Sequence, residues 1–115
     1  DGLVGGAGGD RLIGGSDDDR LIGGGGADIL IGGAGADTFV FAGNFGADEV
    51  NDFDALSNAE KVDLRNVSSI TDFTDLTDSH IGQDGADAVI DAGNGNTIRL
   101  VGVSETDLNA GDFLF

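Results

Sequence analysis

Triplets of strand character recur every nine residues through the first third of the chain, each after six small or acidic positions: Arg11-Leu12-Ile13, Arg20-Leu21-Ile22, Ile29-Leu30-Ile31 and Thr38-Phe39-Val40. The full units are GGAGGDRLI at 5–13, GGSDDDRLI at 14–22, GGGGADILI at 23–31 and GGAGADTFV at 32–40, with no insertion between them. Asp1-Gly2-Leu3-Val4 is the tail of an earlier unit, and residues 43–51 form a weaker fifth, displaced by Phe41-Ala42. The six leading residues predict a tight turn, for which glycine supplies positive-φ conformations. Because side chains alternate along a strand, position eight (Leu12, Leu21, Leu30, Phe39) should face inward and positions seven and nine outward. Two repeats, 18 residues, then make one coil of a flattened solenoid.

From residue 51 the period is lost. A strand is predicted at about 61–64, within Glu60-Lys61-Val62-Asp63-Leu64. Residues 69–76 carry Ile70, Phe73 and Leu76 at helical spacing behind a capping serine, which predicts one short helix over an end of the roll. Residues 82–90 fit a degenerate repeat, but Ala88-Val89-Ile90, the turn Gly93-Asn94-Gly95-Asn96 and Thr97–Val101 read better as a hairpin. The expected fold is therefore all-β: a parallel β-roll over 1–50 and a β-rich cap with one short helix over 51–115, compact as one domain.

Charge changes this picture. The chain holds 22 acidic residues, 19 of them Asp, against five basic ones, for a formal charge of -17. Such a polyanion repels nucleic-acid phosphates and acidic membranes, which leaves cations as natural partners. Stacking would place the position-six aspartates of successive coils one strand spacing apart, where two charges repel by ~3.5 kcal/mol at an effective dielectric of about 20. A divalent cation between the turns reverses the sign, and carboxylate with carbonyl oxygens suits hard Ca²⁺. With no cysteine there is neither a disulfide framework nor a thiolate metal site. The start of the chain lacks the build of a signal peptide and falls mid-repeat, as in a segment of a longer protein.

The four tandem units resemble the RTX (repeats-in-toxin) calcium-binding nonapeptide, G-G-x-G-x-D-x-U-x. The resemblance implies a right-handed parallel β-roll in which a turn and the turn one coil later clamp an ion. The earlier turn gives carbonyls two and four and Asp six; the later gives carbonyls one and three and its own Asp six. Carried over, one site uses Gly6, Gly8 and Asp10 with Gly23, Gly25 and Asp28. The opposite edge uses Gly15, Asp17 and Asp19 with Gly32, Ala34 and Asp37. A truncated first site takes Asp1 with Gly14, Ser16 and Asp19, and a last one Gly24, Gly26 and Asp28 with Gly43, Phe45 and Asp48. That makes about four ions, with Asp19 and Asp28 shared between neighbours. Asp19 is accordingly expected to matter more to folding than Asp63, which lies beyond the repeat. Asp17 replaces the glycine of position four, where a positive φ is needed.

Asn51-Asp52-Phe53-Asp54 and the strand after it resemble the segment following the repeats in serralysin-type C-terminal domains, and Asp112-Phe113-Leu114-Phe115 resembles the uncleaved terminal signal of type I secretion. The last four residues also read as an edge strand. The resemblance implies a secreted, extracellular module of a Gram-negative bacterium, carried behind an N-terminal catalytic domain such as a protease, lipase, polysaccharide lyase or epimerase. In that setting it would fold on Ca²⁺ after export, with the secretion machinery as partner. A module holding an alginate-like polysaccharide is the alternative, with Arg11 and Arg20 the only cations on the roll strands. Catalysis within the chain is not expected. No Gly-Lys-Ser/Thr phosphate loop, EF-hand spacing, H-E-x-x-H zinc pair or G-x-S-x-G nucleophile turn occurs, and His80 is the only histidine.

Overall fold

The computed structural model describes residues 2–55 and 59–115. The nonapeptides alternate between two sheets, as a two-repeat coil requires. One sheet stacks β1 (Gly2–Gly6), β3 (Arg20–Gly24), β5 (Thr38–Ala42), β7 (Lys61–Asn66) and β11 (Phe113–Leu114), all parallel. The other stacks β2 (Arg11–Gly15), β4 (Ile29–Gly33) and β6 (Ala47–Val50) in parallel, then β10 (Asn96–Leu100), β9 (Asp87–Gly93) and β8 (Ile81–Asp84). β10 continues the parallel stack on β6, while β9 and β8 turn back as an antiparallel meander. The predicted hairpin forms, and residues 82–90, which fit a degenerate repeat, run instead through β8, its turn and the first half of β9.

Register follows the repeat. Leu3, Leu21 and Phe39 lie side by side in one sheet, and Leu12 and Leu30 in the other. Leu21, Leu30 and Phe39 are fully buried, and the core runs on through Val50 of the roll into Val62, Leu64, Ile90, Ile98 and Leu100 of the cap. Phe41-Ala42 does not break the stack. Phe41 is buried and packs edge-on against Phe45, ring centroids 5.2 Å apart, and β6 still pairs with β4, Leu30 facing Val50.

Two expectations need correction. Position nine is exposed at Ile13, but Val40 is buried, beside the buried Asp63 in register. The helix expected at 69–76 is shorter and later. Asp72 caps it by accepting the Asp75 N–H, α1 spans Phe73–Asp75, and a π-helical turn continues over Leu76–His80. Ile70 and Leu76 are buried as their spacing required, but Ile70 reaches the core from an irregular segment. At the chain end, Phe113–Leu114 is the edge strand β11, against β7.

Asp17 adopts φ 73°, where the matching Gly8, Gly26 and Gly35 lie at 87°, 100° and 109°. A side chain there costs backbone energy that glycine does not. Asp17→Gly should therefore stabilise the calcium-loaded fold by about 1 kcal/mol in urea melts, and it keeps the carbonyl that faces Gly35 of the next coil.

Candidate metal centre

Each position-six aspartate enters the stack just before a strand, at the inner corner of a turn. In Asp28, Asp37 and Asp48 the carboxylate is split between two tasks. Asp28 Oδ1 accepts the Asp10 N–H at 2.8 Å, Asp37 Oδ1 the Asp19 N–H at 2.9 Å, and Asp48 Oδ1 the Asp28 N–H at 2.9 Å. One oxygen thus ties a coil to the coil before it. The second oxygens of Asp10, Asp28, Asp37 and Asp48 are buried without a hydrogen-bond partner. A buried carboxylate oxygen left so is costly unless a cation meets it.

At the glycine of position one, that second oxygen lies close to a carbonyl of the next coil. A Cβ on Gly5 would lie 2.6 Å from Asp10 Oδ2 and 2.7 Å from the Gly23 carbonyl oxygen. On the opposite edge a Cβ on Gly14 would lie 2.6 Å from Asp19 Oδ2 and 2.6 Å from the Gly32 carbonyl. Each is a small all-oxygen cradle shared by an aspartate and a carbonyl of the next coil. Carbonyls two and four of the earlier turns also face forward, Gly6 and Gly8 against Gly24 and Gly26, Gly15 and Asp17 against Gly33 and Gly35. Among the described residues no three carboxylate or imidazole side chains converge, and the turn carbonyls are the further protein oxygens at hand. The donor set fits a hard divalent cation.

The residues expected from the sequence are unevenly gathered. Asp10, Gly23 and Asp28 meet on one edge, and Asp19, Gly32 and Asp37 on the other. Ala34 gives its N–H to the Gly15 carbonyl at 2.9 Å, and Gly25 lies near the Asn44 carbonyl. Asp48 keeps its place despite the two-residue displacement, and Gly46 faces the Gly26 carbonyl. In that fifth turn Gly43 has a φ of 60° and the Phe45 ring belongs to the core. Ser16 is exposed, and its partner Asp1 lies outside the described residues.

Two acids were not expected here. Glu60 precedes β7 as each aspartate precedes its strand, and the pairing of Thr38 with Lys61 sets it beside Asp37. It is buried, and its Oε1 has no hydrogen-bond partner. Asp52 accepts the Gly32 N–H at 2.9 Å and the Gly33 N–H at 2.8 Å, closing the turn below. The acidic edge therefore extends into the cap. Asp63, by contrast, is buried and paired with Arg65 through 3.0 and 2.8 Å bonds, which hold its pKa below the usual carboxylate range.

Burial, then the nearby Asp28 charge, pushes the Asp48 pKa up to about 7 against the donated Asp28 N–H. Burial followed by the Asp52 and Asp37 charges raises Glu60 to about 7, and burial raises Asp37 and Asp112. In the unfolded chain these acids ionise from about pH 4, so between about pH 4 and about pH 7 the folded state holds more protons and loses stability as pH rises. Without divalent cations, the urea midpoint should thus be higher at pH 5 than at pH 7.5. Saturating calcium should remove or reverse that difference. Asp63 acts in the opposite sense, losing its contribution only as pH falls below about 4.

A parallel roll whose acidic, glycine-rich turns present aligned carboxylate and carbonyl oxygens defines a class of calcium-dependent repeat architecture. Residues 4–39, about a third of the chain, match the family model of the RTX calcium-binding nonapeptide repeat (4 copies). Among solved structures, the crystal structure of the extracellular lipase LipA from Serratia marcescens is similar, with a TM-score of 0.66 and 24% sequence identity. The match covers 96% of this chain and 20% of the lipase, so the chain spans about a fifth of that protein's length. No curated protein sequence matches the chain significantly.

Proposed function

We propose that this chain is a non-catalytic, calcium-driven folding module at the C-terminal end of a larger secreted protein. The observation that carries it is the series of buried, partnerless oxygens on Asp10, Asp28, Asp37 and Asp48, set where successive coils meet. Apart from calcium these oxygens oppose folding; with it they join coil to coil. Calcium is held by Asp10, Gly6 and Gly8 with Asp28, Gly23 and Gly25, and across the roll by Asp19, Gly15 and Asp17 with Asp37, Gly32 and Ala34. Asp48 shares a further ion with Asp28, and Glu60 extends the Asp37 edge. Such a chain stays unfolded where Ca²⁺ is scarce, passes a secretion channel in that state, and folds outside where Ca²⁺ reaches ~10⁻⁴–10⁻³ M. The terminal segment Asp112–Phe115 engages the export machinery.

A secretion assay tests export. A reporter carrying this chain at its C-terminus should leave the cell through a type I channel, and deletion of residues 112–115 should abolish its appearance outside. Export unchanged by the deletion would contradict the assignment of the terminal segment. Calcium stoichiometry by native mass spectrometry tests the ligand sets, with about four ions expected.

A further inference from the structure

At the cap end of the Asp10–Asp28–Asp48 edge, a groove of about 250 Å³ opens between the turn Gly43–Phe45, the end of β7 with Val67–Ser69, and the β9–β10 turn. Its polar side chains are Asn44, Asn66, Asn94, Asn96, Ser68 and Ser69, and none of its lining residues is charged. In a chain with 22 acidic residues that neutrality selects against charged ligands and for neutral polyhydroxylated ones. We infer that this groove binds a neutral sugar unit.

The lining offers both donors and acceptors to hydroxyl groups. Asn96 is 8% exposed, and its Oδ1 accepts the Gly46 N–H at 2.9 Å, which leaves its amide NH₂ to the groove as a fixed donor. Ser69 donates its hydroxyl to the Ala92 carbonyl at 2.8 Å, so its lone pairs remain to accept. Around this pair, the Asn44, Asn66 and Asn94 amides and the Ser68 hydroxyl make no side-chain hydrogen bond among the described residues. Amides and hydroxyls give and accept in turn, which matches the paired donor and acceptor character of a vicinal diol. A space of about 250 Å³ is below the range of drug-sized pockets and suits one ring of a sugar chain entering from solvent. The chain's formal charge of -17, reduced but not cancelled by about four bound Ca²⁺, opposes polyuronates, so a neutral glycan is the ligand class. This site lies apart from the proposed calcium ligands, except for the fifth turn that contributes Gly43 and Phe45 to its lining.

The test is a ¹H–¹⁵N NMR titration of the whole chain at saturating calcium, with neutral oligomers of glucose, mannose and galactose and with polyuronate as probes. Circular dichroism on the same samples reports the fold. Saturable shifts with a neutral oligomer, confined to the amides of residues 44–46, 66–69 and 92–96, are expected, with no saturable shift from polyuronate. Asn94 has a φ of 56°, so Asn94→Gly removes the amide while keeping the turn. It and Asn66→Ala should each weaken binding by about three- to tenfold. A folded chain that gives no shift with any neutral oligomer, shifts at this groove with polyuronate, or binds equally after both substitutions would overturn the inference. An unfolded chain would instead count against the calcium-driven module.

Discussion

Asp28→Asn should act in opposite directions with and without calcium. The asparagine carbonyl can still accept the Asp10 N–H that Asp28 Oδ1 holds at 2.8 Å, and the backbone N–H still reaches Asp48. What disappears is the charge on a carboxylate 1% exposed whose second oxygen has no hydrogen-bond partner. In EDTA the variant should therefore be at least as stable as the parent, because a desolvated charge has been removed. In calcium it should be much weaker, with the folding midpoint moved to about tenfold higher Ca²⁺ or more, since Asp28 would serve ions on both sides. A purely structural aspartate would shift stability by the same sign under both conditions, and that outcome would remove Asp28 from the ligand set.

The second large effect comes from a methyl group. Gly14 has an ordinary φ, so Gly14→Ala meets no backbone objection, yet its Cβ would sit 2.6 Å from both Asp19 Oδ2 and the Gly32 carbonyl. The methyl would press on both oxygens and force them to shift. We expect calcium affinity to fall by more than about tenfold and the calcium-loaded fold to lose about 2–3 kcal/mol from overpacking against backbone. Gly82→Ala is the control: a Cβ on Gly82 has no heavy atom within 4 Å, and the change should leave the calcium midpoint unaltered. Asp63→Ala is not a control, because Asp63 is buried and carries both Arg65 bonds; its loss should destabilise the fold irrespective of calcium.

Much of this was legible because the repeat makes a local rule global. A nine-residue period fixes which side chain of each strand turns inward, and Leu21, Leu30 and Phe39 lie at the centre of the core as that rule requires. The same period aligns the aspartates and predicts their stacking. Asn94-Gly95 at a hairpin turn is likewise local information, with φ of 56° and 81°. What escaped was set by tertiary pairing. Glu60 follows Asp37 by 23 residues rather than 18, so no period reveals it; its one signal was its place immediately before a strand. Asp52 binds Gly32 and Gly33 across the stack, which no spacing within its own segment encodes. The π-helical turn after α1 arises where Leu76 is drawn into the core, and helical spacing alone cannot distinguish it from a regular helix.

The most direct test of the central claim is far-ultraviolet circular dichroism of the whole chain during a Ca²⁺ titration from EDTA, with Mg²⁺ in parallel. A cooperative gain of β signal near 10⁻⁴–10⁻³ M Ca²⁺, absent with Mg²⁺ at the same concentrations, is expected for a roll joined by calcium at Asp10, Asp19, Asp28, Asp37 and Asp48. A chain already fully folded in EDTA, with a signal that calcium leaves unchanged, would contradict it and place the driving force in the apolar core that runs from Leu21 to Phe113.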